Sequence, residues 1–235
     1  MSTQVLKIAV IIPTYNESDN IYRLVRFLRL GLSDIPGEII VSDGGSEDNT
    51  RQEAELAGAK VLESPKKGRA QQMNFAANHN EADILYFLHA DIVPPQCFAR
   101  DIIGAVNGGA AIGRYKMWFD SDRPGLKLNS FFSQFNLLWC SGGDQSIFIT
   151  RRFWDLLGGY DPAFTIMEEY DLLRRARKLE KIHILNGWVR TTDRKYQDNG
   201  YFKVNLANLK AFLMWRLGYP PQRIYRYYKE QLNWR

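Results

Sequence analysis

The sequence predicts an α/β protein: a mostly parallel, mixed central sheet flanked by helices, with a helical C-terminal extension. Two patterns carry this. Across roughly the first ninety residues, short apolar runs of strand composition alternate four times with amphipathic stretches, as expected of parallel strands joined by right-handed crossovers. Beyond residue 200 the composition turns basic and aromatic, and Val204, Leu206, Leu209, Phe212, Leu213 and Leu217 suggest an amphipathic helix broken at Gly218. The chain of 235 residues, 45% hydrophobic and 24% charged, can bury one substantial core. The division expected is therefore a ligand-binding domain over 1–200 and an extension over 201–235.

The first strand, residues 5–12, stops at Pro13. Asn16 is placed to cap a helix whose Ile21, Leu24, Val25 and Leu28 share a face and which Gly31 ends. The turn between them offers Thr14, Tyr15 and Glu17 at a strand's carboxyl end, where open α/β sheets bind ligands, although a plain capping turn would look the same. Residues 38–42 form the second strand, with Asp43 facing the crevice, Gly44 and Gly45 turning the chain and a helix from near Ser46. A carboxylate there can accept a hydrogen bond from a base or a ribose. Neither GxGxxG nor GxxxxGK[ST] occurs, which argues against a dinucleotide fold and a P-loop. After the third strand, residues 60–63, Lys66, Lys67 and Arg69 run into a helix start, either as an anion site or as a solvated loop.

Residues 84–88 are apolar throughout, the composition of a strand covered on both faces. They deliver His89, Ala90 and Asp91 at its end, before Pro94 and Pro95 stop the run. A carboxylate beside an imidazole can hold a divalent cation; a structural His-Asp pair reads identically. Residues 110–119 read as a strand and 126–139 as a helix or lid. Gly142, Gly143 and Asp144 then precede a strand over 146–150, where two glycines permit close approach of a ligand, and a helix from Arg151 ends at Gly158. Residues 167–178 begin acidic and end basic, the order a helix dipole favours by itself. The alternative reading makes Glu168 or Glu169, at the mouth of that helix, a general base. A last strand, residues 183–189, leads to Arg194 and Lys195.

The net charge of +5 lies in the extension, where seven Lys or Arg face the single Glu230 for a net of +6 and leave −1 for the rest. A near-neutral body speaks for a small ligand and against nucleic acid. The tail's cations and aromatics fit either an anionic membrane surface or packing on the core or a second subunit. Cys97 and Cys140 match no metal or disulfide spacing, and residues 1–7 lack a signal peptide's features. The expected location is the cytoplasm, at most peripheral at the inner face of the membrane.

Four motifs now stand in order: Pro-Thr-Tyr-Asn-Glu from Pro13, Asp-Gly-Gly-Ser-x-Asp-x-Thr from Asp43, a strand-end Ala90-Asp91, and Glu-Glu-x-x-Leu-x-x-Arg from Glu168. As a set they resemble the family 2 glycosyltransferases of GT-A fold, over about residues 5–196. The match is closest to the small bacterial radical-SAM/selenodomain-associated group, with its Leu-His-Ala-Asp, Gly-Gly-Asp-Gln and Met-Glu-(Asp/Glu) signatures. The resemblance implies inverting transfer from a nucleotide-diphosphate sugar to a hydroxyl acceptor, lipid-linked or small. It implies that the Pro13 turn, through Thr14, Tyr15 and Glu17, holds base and ribose together with Asp43, and that Arg69 and Arg194 hold the diphosphate. His89, Ala90 and Asp91 would line the donor site, with Asp91, and His89 beside it, binding Mn2+ or Mg2+. Glu169 stands where the family has its catalytic aspartate, next to Glu168, and Gly143 and Asp144 would lie on the acceptor side. Two departures are visible: His89 replaces the first aspartate of Asp-x-Asp, and Glu169 is one methylene longer than aspartate. A nucleotidyltransferase and a non-catalytic nucleotide-sugar or carbohydrate binder are the competing readings.

Overall fold

The computed structural model describes residues 5–141 and 146–233. In chain order the strands are β1 (Ile8–Thr14), β2 (Gly37–Asp43), β3 (Lys60–Glu63), β4 (Ile84–Phe87), β5 (Ile92–Val93), β6 (Ile112–Phe119), β7 (Ile147–Thr150) and β8 (His183–Thr191). The helices are α1 (Ser18–Gly31), α2 (Thr50–Ala57), α3 (Arg69–Asn78), α4 (Phe98–Asn107), α5 (Pro124–Ser133), α6 (Arg151–Leu157), α7 (Glu168–Ala176), α8 (Arg194–Asn199), α9 (Tyr201–Arg216) and α10 (Pro221–Gln231). The strands form one sheet in the order β3-β2-β1-β4-β7-β6-β8-β5.

The first four strands are mutually parallel, and β1 at their centre is buried at every residue, which is why its sequence is continuously apolar rather than alternating. The β1–β2 register pairs Thr14 with Asp43, so the two crevice residues end their strands side by side. β7 runs against both β4 and β6, making the sheet mixed, and β6 and β8 are again parallel. The carboxyl ends of β1, β2, β4, β6 and β8 therefore share one edge.

The buried face of α1 is the expected one, Ile21, Leu24, Val25 and Leu28. Several boundaries differ for local reasons. Asn16 does not cap α1: its backbone is left-handed (φ 55°) and its carboxamide oxygen accepts from the amide of Glu47 in the neighbouring turn. The second helix starts at Thr50 rather than near Ser46, because Asp48 accepts from the Thr50 amide and hydroxyl and so fixes the start of the turn there. The stretch 126–139 separates into α5 and a single 3₁₀ turn, Leu138–Cys140, and β5 is too short to leave a period in the sequence.

Helices α9 and α10 pack on the body and share its core: Val204, Ala207, Ala211, Trp215, Ile224 and Tyr228 belong to the same buried cluster as β1 and β4 residues, and Tyr170 of α7 lies 5.5 Å from Phe212 and 5.8 Å from Trp215, ring to ring. The apolar residues expected to make α9 amphipathic, Val204, Leu206, Leu209, Phe212, Leu213 and Leu217, are not the face that α9 packs on the body. Only Val204 is buried and Phe212 half-buried, while Leu206, Leu209, Leu213 and Leu217 are 49–75% exposed. α9 is apolar on both sides, so periodicity could not choose between them. Among the described residues, no helix is long and apolar enough to cross a membrane.

Candidate active site

At the carboxyl edge of β1 and β2 two turns are stitched together. Asp43 is fully buried, and its carboxylate accepts from the amides of Gly45 (3.0 Å) and Ser46 (2.8 Å) and from the hydroxyls of Thr14 (3.2 Å) and Ser46. Ser46 Oγ in turn accepts from the Asn16 amide (2.9 Å), and Thr50 Oγ1 from that of Glu17 (2.7 Å). Asp43 thus organises the loop at the strand end where a base or ribose was expected. Gln72, which the sequence did not single out, completes the frame. Its buried amide donates to the carbonyls of Thr14 and Ser42 at 2.7 Å each and accepts from Gly68 at 3.2 Å, joining β1, β2 and the start of α3. A glutamine inside a basic loop gives no signal of that role until its partners are in place. Tyr15 is half-buried and carries Lys67 Nζ 3.0 Å from its ring centre, so the aromatic and the cationic loop form one wall. Lys66 is exposed beside it.

The second group meets them from across the crevice. β4 ends at Phe87, and the chain that follows carries His89 to within 2.9 Å of Glu169 Oε1 through Nε2. These residues are 80 apart in sequence. Burial and the charge of Arg69 oppose protonation of His89, but the Glu169 hydrogen bond and the charges of Glu169 and Asp91 outweigh them and raise its pKa. Glu168, 1% exposed, lies 3.4 Å from Arg69 Nε, and apart from its own backbone amide no group among the described residues donates a hydrogen bond to its carboxyl oxygens. Burial first, then the neighbouring Glu169, push its pKa up to about 7 against the pull of Arg69. α7 is held in this position by Asp171, which pairs with Arg174 and Arg175 at 2.7 Å each, and by Arg175 donating to the carbonyls of Leu157 and Gly159 at the end of α6. Immediately before Glu168, Met167 has a left-handed backbone (φ 69°). It and Asn16 are the non-glycine residues with positive φ among those described, and both border this crevice.

Arg194, at the start of α8, reaches Glu17 Oε1 at 4.0 Å and closes the site from the β8 side. Burial raises the pKa of Glu17, with Asp91 and Asp48 adding to the effect and Asn20 and Arg194 opposing it, so Glu17 and Asp91 lie within electrostatic reach of each other. Asp91 is partly exposed at the end of the β4 segment. One such carboxylate suits a hard cation held jointly with substrate phosphates, the usual mode for Mg2+. His89 Nε2 is engaged by Glu169, and no group of three His, Cys, Asp or Glu that could hold a metal occurs among the described residues.

Pro13 and Ala90 are buried backbone of the two strand ends. Gly143 and Asp144, expected on the acceptor side, lie outside the described residues. The structure thus brings Thr14, Tyr15, Glu17, Arg69, His89, Asp91, Glu168, Glu169 and Arg194 to one edge. A separate cleft lined by Phe27, Pro95, Trp118, Trp188 and Arg190 contains none of them.

Comparison with known proteins points the same way. The model of glycosyl transferase family 2 matches residues 9–154. A dolichol-phosphate mannosyltransferase from Pyrococcus furiosus is 28% identical over 112 residues, covering 46% of this chain and 32% of that protein. A glucosyl-3-phosphoglycerate synthase from Mycolicibacterium smegmatis is 31% identical over 108 residues, 41% of this chain and 35% of the relative. These matches span about a third of the relatives' own length. Among solved structures, glucosyl-3-phosphoglycerate synthase from Mycobacterium tuberculosis, in complex with Mn2+, uridine diphosphate and glucosyl-3-phosphoglycerate, superposes with a TM-score of 0.65 at 20% identity, over 92% of this chain and 81% of that one. The likeness is one of fold, the GT-A type.

Proposed function

Since the chain belongs to glycosyl transferase family 2, we propose that it moves a sugar, with inversion, from a nucleotide-diphosphate sugar to a hydroxyl acceptor, and that Glu169 is the base. The observation that carries this is the 2.9 Å contact of Glu169 with His89. It sets the carboxylate of α7 against the end of β4 beside Asp91, the opposed arrangement an in-line displacement requires of base and leaving group. His89 fixes the orientation of that carboxylate, the positioning that a general base needs toward the proton it removes. Thr14, Tyr15 and Glu17 line the side of the crevice that suits base and ribose, and Asp43 holds their loop. Arg69, Arg194 and Lys67 supply positive charge for the diphosphate. A Mn2+ or Mg2+ held by Asp91 and the phosphates would offset the charge that develops on the leaving group. The Leu-His-Ala-Asp and Met-Glu-Glu signatures support placement in the small bacterial radical-SAM/selenodomain-associated group, acting in the cytoplasm on a lipid-linked or small acceptor.

A second reading rests on one observation: Glu168, with a pKa of about 7 and no hydrogen-bond donor on its oxygens beyond its own amide among the described residues, also has the proton affinity of a base. Transfer and donor affinity measured for Glu169→Gln and Glu168→Gln separate the two. Under the first reading Glu169→Gln loses at least ~10²-fold in turnover with donor binding nearly intact. A dead Glu168→Gln beside an active Glu169→Gln reverses the roles, and activity in both removes the base from α7.

A further inference from the structure

We propose that the outer face of α9, continued by α5, docks this protein on an anionic lipid bilayer. On α9 the buried residues Val204, Ala207, Ala211 and Trp215 form one face, and Phe202 (85% exposed), Leu206, Leu209, Leu213 and Leu217 form the other. At about 100° per residue the two sets lie roughly opposite each other around the helix. Among the described residues the outward stripe therefore has no partner. Large apolar residues aligned over four turns differ from single surface leucines, which need no explanation.

The stripe continues sideways. Asn129 of α5 donates to Asn205 (3.3 Å), which sits between Phe202 and Leu206, and Tyr201 donates to the Gly125 carbonyl (3.2 Å). α5 thus lies alongside α9 and adds exposed Leu128 and Phe131, and the 3₁₀ turn beyond it adds Trp139, which is 52% exposed and stacks near Phe132.

Charge selects the occupant. Lys203 and Lys210 flank the stripe on one side and Arg216 the other, all exposed, and α10 adds exposed Arg223, Arg226 and Lys229. A second copy of this chain, docked face to face, would bring two such cationic rims together with only Glu230 in each tail to offset them. An anionic bilayer instead accepts the leucines among its acyl chains and the cations at its headgroups, with Trp139 suited to the boundary.

The test reads binding and so stands apart from the transfer chemistry. Intact protein is floated with vesicles of phosphatidylcholine alone or with added phosphatidylglycerol. Wild type should bind the anionic vesicles, bind less as salt rises, and leave neutral ones largely empty. Leu206→Ser/Leu213→Ser and Lys203→Glu/Lys210→Glu should each lower partitioning by about tenfold or more, with unchanged melting temperature because both pairs are exposed. Absence of wild-type binding, binding of either variant equal to that of wild type, or equal binding to neutral vesicles overturns the proposal. So does a wild-type dimer by light scattering that Leu206→Ser/Leu213→Ser converts to monomer, which would make the stripe a self-interface.

Discussion

The two sides of the crevice hold their carboxylates in opposite ways. On the β1–β2 side, Asp43 is met by four donors and Asp48 by the amides of Ser18 and Thr50 and the Thr50 hydroxyl. On the α7 side, Glu168 has at most its own backbone amide among the described residues, and Glu169 has the imidazole of His89. Saturation makes a rigid frame, since every donor satisfied there is one that a loop movement would strand. Burial, with few donors to oppose it, keeps the proton affinity of Glu168 high, which a frame does not require. The same residue type thus does two kinds of work, and the difference lies in the number of N–H and O–H groups aimed at it.

The largest effect expected is on the saturated side. Asp43→Ala strands the amides of Gly45 and Ser46 and two buried hydroxyls, and should cost roughly 3 kcal/mol or more of stability by denaturant titration. A loss of nucleotide affinity at unchanged stability would mean instead that Asp43 meets the ligand directly.

The α7 side should show itself through pH. Glu168 has an ordinary value of 4.5, raised in the fold to about 7, so the folded protein binds more protons between those values and stability falls as pH rises across them. The loss is on the order of 3 kcal/mol at most. The raised pKa of His89 acts in the same sense, its contribution being present below its unfolded value and lost as pH rises through its folded one. Melting temperature should therefore drop from pH 5 toward pH 8, by less in Glu168→Gln; identical slopes in the two proteins would assign the drop elsewhere.

A smaller effect tests the division of labour. With Asp43 and Asp48 fully engaged, the cation for a diphosphate is left to Asp91. A nucleoside diphosphate at about 100 times Kd should stabilise the protein by roughly 2.7 kcal/mol when Mn2+ or Mg2+ is present and by much less in EDTA. Equal stabilisation in EDTA would leave the phosphates to Lys67, Arg69 and Arg194.

Much of this arrangement was legible beforehand because it is written in local pattern. Buried parallel strands announce themselves as unbroken apolar runs, and in such sheets ligands gather at carboxyl ends, so Thr14, His89 and Asp91 could be brought to one edge from order alone, while Arg194 came from the family resemblance. What was not legible depends on partners distant in sequence. Nothing around Asp43 says that its oxygens are already taken, because its donors arise from a turn geometry that the two glycines permit but do not specify. Gln72 acts through carbonyls 30 and 58 residues away. His89 stands at a ligand's position in the motif, and nothing near it says that Nε2 meets a helix 80 residues on. The inward face of α9 was not legible because small residues, Ala207 and Ala211, pack inward while leucines point out, the reverse of what hydrophobicity by itself suggests.

The left-handed backbone of Met167 constrains how such an enzyme can be improved. A non-glycine residue in that conformation carries a cost of order 1–3 kcal/mol, and an unbranched side chain is among the less unfavourable choices there. Glycine at 167 would relieve it, so selection for heat resistance would favour that change. The same change would loosen the step that aims Glu168 and Glu169 across the crevice. Robustness and turnover are therefore set against each other at one position, and thermostable variants recovered without a screen for transfer should carry their defect there.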